Sequence, residues 1–162
     1  MTKGYVALVD DDDHARVSKF KWHAQLTKNS DLVYAARSVR TKTGGSMVLM
    51  HRFILGLGCG DKHVDHIDRN PLNNQKKNLR VCSLAQNQAN KIKSKNKSSV
   101  YKGVSKHSAT GKWVAYVGSR TNRAYLGIYE KEMDAAHAYN VAALKVFGEF
   151  ARLNPIQAGV NP

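Results

Sequence analysis

The sequence predicts an α+β fold, and three observations carry that expectation. Short apolar or alternating runs recur from the N-terminus, split by turn residues, as small antiparallel sheets require. Between Val64 and Asn90 a strand, a long polar loop, a second strand and a capped helix follow one another. Three further strand-like runs and an Ala-rich helical stretch close the chain. At 162 residues, the chain suits one medium domain or a few small modules.

In chain order, Tyr5 to Val9 reads as a strand. The run Asp10-Asp11-Asp12-Asp13 resembles a metal cluster, but acids at a turn and helix start, offsetting the positive helix end, explain it better. A short helix is expected over His14 to Lys19, then a hairpin from Phe20–Thr27 and Leu32–Val39. Lys42-Thr43-Gly44-Gly45 reads as a turn, Ser46–Met50 as a strand, and His51–Leu57 as a short apolar helix ending at Gly58. Asp65-His66 ends the next apolar run, and the Asn-, Pro- and Lys-rich stretch after it is loop. Leu79-Arg80-Val81 is a second strand. Ser83 with Gln86 three residues on is a capping-box signature, which starts a helix near Leu84.

This segment, roughly residues 62 to 92, resembles the HNH nuclease motif, the ββα-metal finger of phage and intron-encoded homing endonucleases. Asp65-His66 matches the opening pair and Asn78 the middle Asn. Asn87 stands where many members have the last His, an Asn-ending variant. Tyr34-Ala35, Met50-His51-Arg52 and Ile54-Leu55-Gly56-Leu57 resemble the region that often precedes the motif in phage homing enzymes. The resemblance implies a metal-dependent, site-specific endonuclease. Phosphodiester hydrolysis needs a deprotonated water, a Lewis acid for the leaving oxygen and positive charge around the phosphate. His66, with an unperturbed pKa of about 6.5, suits the base. The side-chain carbonyl of Asn78 can orient its ring. Asp65 and Asn87 offer hard oxygens for one Mg²⁺ or Mn²⁺ per active site. Arg80 is expected to steady a phosphate. His51, at a helix start, either reaches the site or makes a structural bond.

The net charge is +14 and the isoelectric point about 9.9. Such a balance calls for a polyanion. No apolar run is long enough to span a bilayer, and the N-terminal residues lack a signal-peptide core, which leaves nucleic acid and a cytoplasmic setting in a bacterial or phage-infected cell. The two cysteines, Cys59 and Cys82, make neither a disulfide framework nor a Cys-based zinc site, and reduced thiols are expected. No Asp or Glu occurs from Arg69 through Tyr129, while thirteen Lys and Arg do, among them Arg69, Lys76, Lys77, Arg80, Lys91, Lys93, Lys95 and Lys97. That is an electrostatic footprint for phosphates. Arg37 and Arg40 either touch the DNA backbone or sit on a solvated strand face.

The segment Lys91–Ser99 is polar, basic and unpatterned, a linker able to strap along a DNA backbone. After it come strand-like runs at Val100–Lys106, Lys112–Ser119 and Arg123–Tyr129, with Gly111 and Thr121-Asn122 at the turns. A helix follows over roughly Lys131–Val146, with Glu132 and Asp134 in its first turn and Gly148 after its end. Ala136, Tyr139, Ala143 and Phe147 form a stripe that can lie close on a sheet. Over roughly residues 100 to 155 this module is similar to the APETALA/ethylene-response-factor DNA-binding domain. Tyr101-Lys102-Gly103-Val104, Gly111-Lys112-Trp113, Tyr125-Leu126-Gly127-Ile128-Tyr129, Ala135–Asn140 and Ala151-Arg152-Leu153-Asn154 carry the match. The resemblance implies a three-stranded sheet on one helix, the sheet entering the major groove, with Lys102, Trp113 and Tyr125 facing DNA. Trp113 fits a core position equally well. Ser105 and Gly118 fall where plant members usually place Arg, and Tyr116 where many place Glu, so their base preference does not carry over.

The expected organisation is a β-rich region at 1–60, the nuclease motif at 61–92, a linker at 93–99 and the sheet-and-helix module at 100–156. The expected function is a homing-type DNA endonuclease whose C-terminal module binds double-stranded DNA. Its expected DNA contacts are Arg80, Lys91, Lys93, Lys95, Lys97, Lys102, Lys106, Lys112, Trp113, Arg120, Arg123 and Tyr125. The competing function is a sequence-specific DNA-binding regulator without catalysis, which the C-terminal module alone would satisfy; Asp65-His66 has no place in it.

Overall fold

The computed structural model describes residues 1–27, 31–42, 44–58, 60, 62–93, 97–119 and 122–156. Its contacts divide the chain into two units, Met1–Ser83 and Leu84–Pro162. The division falls inside the 61–92 stretch.

In the first unit, Asp10 is the N-cap of helix α1 (Asp11–Val17). Asp13 is buried and takes an ion pair from Arg16 at 2.6 Å and one from Lys76 at 3.0 Å. The Asp10 carboxylate accepts the Lys76 backbone N–H at 2.7 Å. The acidic run therefore starts a helix and ties it to the loop before Asn78. Strands β1 (His23–Leu26), β2 (Val33–Thr41) and β3 (Gly44–Leu49) form an antiparallel sheet in chain order. Helix α2 (Met50–Ile54) follows directly, and strands β4 (His63–His66) and β5 (Leu79–Cys82) pair antiparallel, with Asp65 opposite Arg80 and His66 opposite Leu79. Val17, Ala35, Met50, Ile54 and Leu79 form the core that holds helices, sheet and hairpin together.

One expected element of this unit is absent. Tyr5–Val9 is not a strand; Leu8 alone bridges to Asn73. Its N–H goes to the Leu72 carbonyl and its carbonyl accepts from Asn74 N–H, each at 2.8 Å. The segment spends its hydrogen bonds clamping a loop, so it has no ladder to join. Arg37 does not face open solvent either: its guanidinium lies 3.9 Å from the Phe20 ring centre, with Trp22 and Phe53 also near. The turn residue Thr43 lies outside the described residues, as does Cys59; Cys82 is buried on β5.

The second unit opens with α3 (Leu84–Asn90), starting where the capping signature put it. Strands β6 (Val104–Lys106), β7 (Trp113–Gly118) and β8 (Arg123–Tyr129) form an antiparallel sheet in that order, covered by α4 (Glu132–Phe147). Small residues let α4 lie close: Ala135, Ala136 and Ala143 are fully buried, and Tyr139 nearly so. Strand β6 is shorter than Val100–Lys106 for two reasons. Gly103 turns the chain at φ 75, where a Cβ would stand 2.0 Å from the Tyr139 ring. The Lys102 N–H and C=O are taken by the Asn154 side chain, at 2.6 and 3.0 Å. Asn140 holds Asn154 in turn, at 2.7 Å. No helix of the described residues is long and apolar enough to cross a membrane.

Candidate active site and nucleic-acid interface

Asp65 and His66 end β4, and both are buried. Neighbouring strand residues point to opposite faces, so the hairpin is covered on both sides here. Asp65 meets its cross-strand partner: Arg80 Nε donates to Asp65 Oδ2 at 2.8 Å, and Nη2 lies 2.7 Å from the same oxygen. The Arg80 side chain is itself only 13% exposed. Its charge is thus committed to holding a buried carboxylate, which replaces the phosphate contact expected for it.

On the other side, His66 meets two rings from separate elements. His51 of α2 stands edge-on to it with centroids 5.0 Å apart, and Tyr34 of β2 lies 6.2 Å away. Tyr34 and His51 also touch, at 5.8 Å. Burial, with the neighbouring His66 and Arg52 adding to it, pulls the His51 pKa down to about 3, so this ring is neutral near neutral pH. Burial likewise holds His66 below the ordinary imidazole value, against the opposing pull of the Asn74 amide and the Asp68 and Asp65 carboxylates. A lowered pKa keeps His66 unprotonated at neutral pH, the state a general base needs. His51 thus reaches the site, one of the two outcomes its place at a helix start left open, while Tyr34 and Asn74 were not expected as neighbours of His66. The motif gives the order along the chain, and these contacts depend on how β2, α2 and the loop fold onto β4.

Asn78 is buried too, but it serves the loop. Its Nδ2 donates to Asp68 Oδ1 and to the Asn73 carbonyl at 2.9 and 2.8 Å, and its Oδ1 accepts the Asp68 N–H at 3.0 Å. The amide beside the His66 ring is that of Asn74. The direct Asn78 to His66 bond expected from the motif is therefore corrected: Asn78 shapes the Ile67–Asn78 loop that carries Asn74. Partial desolvation pushes the Asp68 pKa up, yet bonds from Asn70, Asn73 and Asn78 outweigh that and hold it below the usual carboxylate value.

Residues 49–89 match the family model of the HNH endonucleases. An HNH endonuclease of Acanthamoeba polyphaga mimivirus is 38% identical over 159 residues, covering 95% of this chain and 77% of its own length. The chain belongs to the HNH endonucleases. An ethylene-responsive transcription factor of Arabidopsis thaliana is 37% identical over 68 residues, 36% of this chain and 16% of the plant protein. An AP2-like ethylene-responsive transcription factor of the same plant is 38% identical over the same share, 14% of its own length. This HNH endonuclease therefore carries an AP2-like DNA-binding region, and DNA is its partner.

HNH nucleases are in general dependent on a divalent metal. The donor chemistry fits one: Asp65 supplies a hard carboxylate oxygen. Asn87, the second expected ligand, is a partly buried residue of α3 in the second unit. Among the described residues no group of three or more His, Cys, Asp and Glu is placed to hold a metal.

The expected DNA contacts of the second unit sort into two sets. Lys102 and Lys93 turn inward. The Lys102 ammonium donates to the carbonyls of Gln88, Ala89 and Lys91, closing the end of α3, and burial pulls its pKa down to about 8. Lys93 donates to the carbonyls of Tyr101 and Val104 at 2.6 and 2.5 Å, and burial lowers its pKa as well. Both are corrected from DNA contacts to internal ties. Lys112, half-buried, pairs with the exposed Glu130. Trp113 packs into the core with Val104, Ala115, Ala135 and Ala136, which decides for its core position. Exposed instead are Lys91, Lys97, Lys106, Arg123 and Tyr125. Tyr125 is 58% exposed and lies 5.5 Å from Tyr116, whose ring Arg123 covers at 4.3 Å. Lys95 and Arg120 lie outside the described residues.

Proposed function

We propose that this HNH endonuclease is a Mg²⁺-dependent, site-specific enzyme of homing type acting on double-stranded DNA. The observation that carries this reading is the buried Asp65-His66 pair, backed by Arg80 on one side and by two rings on the other. A non-catalytic regulator has no use for a desolvated carboxylate and a neutral buried imidazole side by side, since both cost stability.

In this reading His66 takes the proton of the attacking water. Tyr34 and His51 pack edge-on against its ring with the Asn74 amide beside it, and the burial that lowers its pKa leaves its lone pair available near neutral pH. Asp65, with Asn87 carried over from the motif, would hold Mg²⁺, which when bound offsets charge on the leaving oxygen. Arg80 keeps the Asp65 carboxylate in one rotamer. Asn78 holds the loop and so acts on His66 through Asn74. The exposed Tyr125, Arg123 and Lys106 present aromatic and cationic chemistry suited to a groove of DNA, and Lys91 and Lys97 add phosphate contacts without base preference.

Plasmid cleavage tests this directly. The wild-type protein is expected to cut with Mg²⁺ and to stop with chelator, and His66→Ala and Asp65→Ala to be inactive with Mg²⁺ present. Full cutting by His66→Ala, or cutting undiminished in chelator, would overturn the assignment.

A further inference from the structure

The loop after His66 contains a residue whose backbone is in an unfavourable place. Arg69 has φ 65, left-handed, where a side chain is strained. Glycine relieves that strain, and Asn or Asp tolerate the conformation best among side chains. The surrounding hydrogen bonds hold Arg69 in that conformation. Its N–H bonds the His66 carbonyl at 2.9 Å, and Ile67 N–H bonds the Asn78 carbonyl at 2.9 Å. Next to it, Asp68 is gripped by the Asn70 N–H at 2.8 Å and by the Asn73 and Asn78 amides. Asn70 accepts the Leu72 N–H at 3.1 Å. The turn is thus over-determined, and strain that persists in such a turn marks positions where the side chain is needed.

The Arg69 side chain has no internal use that accounts for it. Arg69 is exposed, and among the described residues its guanidinium makes no hydrogen bond or ion pair. The neighbouring Asp68 forms no ion pair with it and instead accepts from the Asn70 N–H and the Asn73 and Asn78 amides. The contrast with Arg16, Arg37 and Arg80 of the same unit is plain: each of those is spent on a carboxylate or on aromatic rings. Arg69 is an exposed cation on a held backbone, with no partner among the described residues, three residues from His66 in sequence.

We propose that Arg69 is a substrate-contact residue, gripping a DNA phosphate beside the bond that His66 attacks, at the expense of fold stability. This rests on the reading of Asp65-His66 as the cleavage centre. The left-handed turn aims the side chain, and a guanidinium binds a phosphate through two parallel N–H donors. Stability and function then pull in opposite directions at this one position. A merely structural arginine would not behave so, because its removal would leave binding unchanged or lower both together.

The test uses the full-length protein with Arg69→Gly and Arg69→Asn. Melting temperature is measured for each, along with affinity for a random-sequence duplex in chelator as salt is varied. Both variants are expected to melt a few degrees higher, since each residue accepts the left-handed conformation. Both are expected to bind about tenfold more weakly at low salt, with the slope of log affinity against log salt reduced by about 0.9, one phosphate contact. Affinity and slope equal to wild type would overturn the proposal, and so would a lower melting temperature in both variants. Absence of DNA cleavage by the wild-type protein with Mg²⁺ would instead sink the reading of the His66 centre.

Discussion

The hairpin of β4 and β5 and the sheet of β6, β7 and β8 are both small and antiparallel, yet they treat polar side chains in opposite ways. The hairpin and its loop bury Asp65, His66, Asn74 and Asn78. The sheet buries only Val104, Val114, Ala115 and Val117, and leaves Lys106, Arg123 and Tyr125 outside. Burying a carboxylate and an imidazole is costly unless each is well partnered, so the hairpin spends its neighbours on Arg80, His51, Tyr34 and the Asn network. The sheet carries no such burden: its stability comes from apolar contact with α4, and its outer face is available for docking. Chemistry needs a few groups desolvated and fixed, whereas groove binding needs a stable platform with adaptable groups on its surface.

The comparison breaks most sharply at Gly103. A Cβ there would meet the Tyr139 ring and the Tyr116 carbonyl inside 3 Å, in a left-handed backbone. Gly103→Ala is expected to destabilise the second unit by about 3 kcal/mol, strain and overpacking combined. DNA affinity should fall with it. A normal melting curve would show that α4 does not press on β6 as closely as described.

In the hairpin the matching test is Arg80→Met. It keeps the length and removes the charge, leaving the Asp65 carboxylate without its partner. A loss of about 3 kcal/mol in denaturant unfolding is expected, because breaking a buried pair costs more than the pair contributed. Arg80→Met that unfolds at the wild-type midpoint would place the stabilisation of Asp65 elsewhere.

How far the sequence foretold each region follows from the same contrast. The order strand, loop, strand, helix was legible because Asp65-His66, Asn78 and the Ser83/Gln86 capping pair are local signals. The sheet and helix were legible because Ala136, Tyr139 and Ala143 recur at helical spacing. The amide beside His66 was not, since Asn73, Asn74 and Asn78 are chemically alike and only the loop path selects Asn74. The inward turn of Lys93 and Lys102 was hidden as well: a long side chain on a polar stretch can reach free carbonyls as easily as solvent. Tyr5–Val9 is a short apolar run that reads as a strand, but no sheet edge takes it up, and Leu8 is held instead by Leu72 and Asn74.

Acid stability sharpens the view of the buried rings. The His51 pKa is about 3 in the folded protein against 6.5 unfolded, so the unfolded chain binds the extra proton between those values. The stability is therefore fully present above pH 6.5 and lost progressively as pH falls toward 3. His51→Phe removes that proton while keeping a ring, so melting temperature followed over this range should decline less steeply than in wild type. An unchanged acid limb would mean that the ring is not desolvated.

The smallest effects separate the two sets of cations. Arg123→Ala should lower the salt slope of duplex binding by about one. Lys102→Met should leave the slope alone and lower stability by about 1 kcal/mol, as expected when helix-end carbonyls lose a donor. The reverse pattern would return Lys102 to the DNA face.

The division of labour between the two units is tested most directly by measuring duplex affinity and single-turnover cleavage at saturating DNA for His66→Ala and Tyr125→Ala side by side. His66→Ala should bind DNA as tightly as wild type and fail to cut, while Tyr125→Ala should bind more weakly yet cut at the wild-type rate once saturated. A His66→Ala protein that still cuts, or a Tyr125→Ala protein that binds normally but cuts slowly at saturation, would contradict the account.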